Sequence, residues 1–91
     1  MSITNLKLIA EVLIKERLDK IVSGEIRLNV ANQHDEYVLE SALNVLQTDE
    51  TAVEFAFEGL ENANVENLPT MELAYRLSVF HPESLSTAWT D

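Results

Sequence analysis

Residues 35–61 read DEYVLESALNVLQTDETAVEFAFEGLE, and the spacing of their apolar side chains decides the fold. Val38, Leu39, Ala42, Leu43 and Leu46 recur at helical period, with Val45 beside them, which predicts a helix from about Glu36 to Gln47. Asp35 is the expected N-cap. Thr48 is expected to cap a following helix whose first turn holds Asp49 and Glu50, the charge sign that a helix N-terminus prefers. Ala52, Val53, Ala56, Phe57 and Leu60 again share one face, carrying that helix to about Glu61. A rival reading makes residues 52–58 a strand with Val53, Phe55 and Phe57 on one side.

Upstream, Asn5 to Val22 predicts another helix, with Ser2, Thr4 or Asn5 available as caps and Gly24 placed for a left-handed stop. Leu6, Ile9, Leu13, Ile14, Leu18, Ile21 and Val22 form its broad apolar face. Leu8 and Val12 fall outside that face, so they are either covered by neighbours or meet another chain. Residues 25–31 alternate apolar and polar, with Ile26, Leu28 and Val30 on one side, and are expected to form a short β segment or an extended connector. Asn32 to Glu36 is polar and turn-like.

Downstream, the asparagine-rich residues 62–67 read as a loop. Pro69 suits the first position of a fourth helix running to about Phe80. Met71, Leu73, Ala74, Tyr75, Leu77, Val79 and Phe80 cover nearly its whole circumference, which predicts a central or sandwiched helix. His81-Pro82 ends it, because a residue before proline avoids the helical region. Leu85, Ala88 and Trp89 are expected in one last turn.

The expected fold is thus mainly α, a bundle of about four helices forming a single domain over residues 1–91. Two glycines and two prolines are too few for the tight turns of a sandwich or barrel. There is no cysteine, which removes disulfides and thiolate metal sites and favours a cytoplasmic setting. Lys7 and Glu11 interrupt the apolar start, so it reads as an amphipathic helix rather than a signal peptide, and no apolar run is long enough to span a bilayer.

Charge carries the functional reading. The formal net charge is −10, unevenly placed. Residues 1–27 hold five basic and four acidic groups, whereas residues 28–91 hold twelve acidic groups and the single cation Arg76. Direct contact with nucleic acid or anionic lipid is disfavoured, since phosphates need cations. A basic protein partner is favoured.

On one continuous helix Glu50, Glu54, Glu58 and Glu61 would lie along a single side. Like charges at i, i+4 repel by a few tenths of a kcal/mol per pair, and no lysine stands nearby to relieve them. The row is either a solvated acidic face, a dock for a basic protein, or an imitation of a phosphate backbone, as in small phage-encoded inhibitors of host defence nucleases. Asp49, Glu50, Glu54, Phe55, Glu58 and Glu61 are the candidate partner-binding residues, with Phe55 either buried by another element or serving as an exposed apolar anchor.

Chemistry finds less support. His34, Asp35 and Glu36 are adjacent and would point apart on a helix, and no calcium-binding loop or Gly-rich phosphate loop is present. No nucleophile–base pair is evident, so neither an enzyme nor a cofactor is expected. Arg76 reads as a structural ion-pair partner. The rival class is a structural, assembly or chaperone protein working through apolar helix faces. The apolar coverage of the first and fourth helices also favours a homodimer.

Overall fold

The computed structural model describes residues 3–60 and 69–81. They form four helices: α1 (Ile3–Val22), α2 (Asp35–Thr48), α3 (Glu50–Ala56) and α4 (Thr70–Ser78). Among the described residues there is no strand. The mainly α bundle expected from the periodicity is the observed architecture.

α2 is the central element. It packs most extensively on α4, then on α1, and also on α3, while α4 touches all three other helices. Val38, Leu39, Ala42, Val45 and Leu46 supply its buried stripe, and Leu43 is only partly covered. Leu73, Ala74 and Leu77 face it from α4, so that α4 buries one face rather than its whole circumference, leaving Tyr75 and Val79 half exposed. α1 contributes Leu6, Ala10, Ile14 and Ile21, with Ile9, Leu13 and Leu18 packed at the margin. A fully buried alanine stands on each of α1, α2 and α4 (Ala10, Ala42 and Ala74). Short side chains at such positions let helix axes approach closely.

α1 ends where glycine allows it to. Gly24 takes φ +85, its N–H reaches Ile21 O at 3.1 Å, and the Ile26 N–H returns to Lys20 O at 3.0 Å. This reversal turns Val22 outward, 72% exposed rather than part of the buried face. It also folds Ile26 against the core margin.

The β segment expected at 25–31 does not form. Several backbone donors at its end go instead to two asparagine side chains. Asn29 Oδ1 accepts from the N–H groups of Ala31 (2.8 Å) and Asn32 (3.2 Å), while Asn32 Oδ1 accepts from the Asn29 N–H at 2.6 Å. Asn32 Nδ2 also donates to Arg27 O at 3.2 Å. Side-chain bonding of this kind competes with a strand ladder, and among the described residues no second strand is present to pair with it. Val30, placed on the apolar side by alternation, is 87% exposed.

Helix boundaries also shift. His34, not Asp35, is the N-cap of α2, without a side-chain cap bond, and Asp35 is the buried first helical residue. Pro69 is the N-cap of α4 rather than its first residue; its carbonyl accepts from the Glu72 and Leu73 N–H groups. α4 stops at Ser78, and Phe80 and His81 close tight turns onto Leu77 O and Ser78 O. The loop at 62–67 and the turn around Leu85, Ala88 and Trp89 lie outside the described residues.

Candidate functional site

Asp49 builds the acidic face. It joins α2 to α3 as a one-residue hinge in extended conformation (φ −134, ψ 87), its N–H bonded to Val45 O and its Oδ1 accepting from the Ala52 N–H at 3.0 Å. It is therefore the α3 N-cap, the part expected of Thr48. The Thr48 hydroxyl instead donates back to Asn44 O at 2.7 Å, as a residue inside α2.

Residues 50–56 are helical, which disposes of the strand reading of 52–58. Ala52, Val53, Ala56, Phe57 and Leu60 are all buried, as their spacing required. With that face inward, Glu50, Glu54 and Phe55 face solvent. Phe55 is 63% exposed, whereas Phe57 is 1% exposed. Of the two alternatives for Phe55, the structure takes the exposed one.

The helix is shorter than expected. Phe57 is its C-cap, the Glu58 and Leu60 N–H groups bond to Phe55 O and Phe57 O, and Gly59 turns the chain at φ +86. Only Glu50 and Glu54 thus keep the i, i+4 relation of one helix face. Glu58 is exposed in the closing turn, and Glu61 lies outside the described residues.

Among the described residues no cation forms a salt bridge with Glu50, Glu54 or Glu58. Among the described residues two salt bridges form, both within one helix: Glu11–Lys15 at 2.9 Å on α1 and Glu72–Arg76 at 3.6 Å on α4. Arg76 thus pairs locally, with the acid N-terminal to the base as the helix dipole prefers. The hydrogen bond from Lys15 and then its charge hold the Glu11 carboxyl below the ordinary glutamate range; partial desolvation opposes them, and Gln47 and Lys7 add smaller downward pulls.

Concave regions among the described residues lie elsewhere. Leu8, Ile9, Val12 and Leu13 line a shallow apolar groove of about 270 Å³ on α1. Tyr37, Glu40, Ser41, Asn44 and His81 line a polar one of about 230 Å³ between α2 and the end of α4. A third, of about 190 Å³, lies against the last turns of α1 and includes Arg17 and Lys20. Periodicity did not single out this last cleft, because its walls come from α1, the following loop and α4. Among the described residues no group of three or more His, Asp or Glu is placed to hold a metal ion, and no helix is long and apolar enough to cross a membrane.

Comparison of the chain with protein-family models, curated proteins and solved structures gives no match.

Proposed function

We propose that this protein is a binding module for a basic protein surface, with the exposed side of α3 as its contact. The observation that carries this reading is Phe55, largely exposed on a short helix that also exposes Glu50 and Glu54, with Glu58 exposed in the turn that closes it. None of the three carboxylates has a salt-bridge partner among the described residues. An exposed aromatic ring supplies apolar area at small entropic cost, and unneutralised carboxylates around it steer a cationic partner. The sharper form is occupation of a groove that otherwise holds nucleic acid, with Glu50, Glu54 and Glu58 standing in for phosphates. The proposed setting is the cytoplasm, in keeping with a chain free of cysteine.

The test is affinity capture from the native host at low and high salt, followed by kinetics on the recovered partner. Glu54→Lys with Glu58→Lys is expected to slow association about tenfold at low salt and to flatten its salt dependence. Phe55→Ala is expected to speed dissociation instead. Nucleic acid should compete if the groove reading holds. A partner indifferent to both the charge reversals and salt sinks the proposal.

A second reading has its own observation. Leu8 and Val12 are 57% and 62% exposed and sit in the apolar groove on α1. α1 lies within residues 1–27, where basic and acidic groups nearly balance, unlike the acidic remainder of the chain. Self-assembly through that groove, as a homodimer, would keep the two acidic bodies apart and leave α3 free.

A further inference from the structure

Six cations serve a chain with sixteen carboxylates, so an unpaired cation in a cleft needs a reason. Lys15 and Arg76 are paired. Arg17 and Lys20 are not: neither side chain has an ion pair or hydrogen bond among the described residues, and the Arg17 Nε is shielded from water without an acceptor. Both line the cleft of about 190 Å³ completed by Leu13, Glu16, Ile26 and Thr70. Glu16 shares that wall yet lies beyond salt-bridge distance of either cation.

The cleft is assembled from three parts of the fold. Leu13, Glu16, Arg17 and Lys20 recur along one side of α1 at helical spacing. Ile26 is brought back to it by the bond from its N–H to Lys20 O. Thr70 opens α4, whose N-cap Pro69 supplies no side-chain cap. A guanidinium whose Nε–H lacks an acceptor, on a half-buried side chain, is poised for an oxyanion, which such a group binds through charge-assisted and often bidentate bonds. Leu13 and Ile26 add apolar wall, and the space exceeds what one oxyanion group fills.

We propose that this cleft binds a small organic anion, with a phosphate or carboxylate group held by Arg17 and Lys20 and an apolar body against Leu13 and Ile26. The site is separate from the acidic surface of α3 and does not depend on that reading. The surrounding negative charge lowers the local concentration of free anions, so binding is weak and sensitive to ionic strength.

The experiment is an NMR titration of the full isotopically labelled chain with phenyl phosphate and, separately, benzoate, with inorganic phosphate as the anion lacking an apolar body. Saturable shifts are expected at the Arg17 Nε–H, at the Lys20 side chain and at the Thr70 and Met71 amides, and the tighter of the two organic probes identifies the oxyanion. Arg17→Gln and Lys20→Gln should each weaken binding about tenfold. Arg27→Gln, which removes an exposed cation outside the cleft, should leave it unchanged. If Arg17→Gln fails to fold by circular dichroism, Lys20→Gln alone decides. Shifts that do not saturate for either organic probe, that survive Lys20→Gln, or that fall equally with Arg27→Gln overturn the proposal.

Discussion

Asp49 shows how much a single side chain settles. It terminates one helix through its N–H and starts the next through its carboxylate, with no intervening loop. From the sequence Thr48 was the expected cap and Asp49 a first-turn acid, although both residue types are good N-caps. The choice between them follows from where α2 runs out: Thr48 is still helical and returns its hydroxyl to Asn44 O. Asp49→Ala should therefore destabilise the protein by about 1 kcal/mol in chemical denaturation. Thr48→Val should cost distinctly less, and equal losses would refute this assignment. Phe55 and Phe57 make the same point about burial. Two residues apart on one chain, they meet solvent and core respectively, because one helical step of about 100° per residue separates them by more than half a turn.

At the scale of elements, the main departures from expectation occur where glycine and asparagine act on the backbone. Gly24 was legible as a stop because the apolar pattern ends before it. Gly59 carries the same conformation, but the pattern continues through Leu60 and conceals it. Leu60 is buried through the turn, not through another helical residue. A Cβ at Gly59 would meet no heavy atom within 4 Å, so only the left-handed backbone opposes a side chain there. Gly59→Ala should cost about 1–2 kcal/mol by denaturation, with Gly59→Asn milder. A neutral Gly59→Ala would imply that α3 continues as first expected. The 25–31 segment failed as a strand for a related reason: alternation is necessary for a half-buried strand, but Asn29 and Asn32 offered the backbone a local alternative.

At the scale of the whole molecule, the described residues include more apolar side chains than their helices cover. Leu8 and Val12 on α1 and Tyr75 and Val79 on α4 all remain outside the core. If α1 is a self-association surface, sedimentation should show a dimer at high micromolar concentration, and Leu8→Ser with Val12→Ser should return it to monomer without loss of helicity. A wild-type chain that stays monomeric removes that reading and leaves the α3 surface as the working face.

Local rules were sufficient for the four helices and most of the residues that face inward, because a 3.6-residue period forces a set of side chains onto one side wherever the helix is placed. The sequence also fixed, on its own, a stretch from 28 to 75 without a lysine or arginine. Tertiary structure decided everything that depends on elements far apart in the chain. It set which apolar stripe found a neighbour, shortened the glutamate row by turning the backbone at Gly59, and brought Arg17, Ile26 and Thr70 around one cleft. Periodicity describes the sides of a single helix, whereas a cleft or a covered face is a property of pairs of helices, and their separation is set by packing.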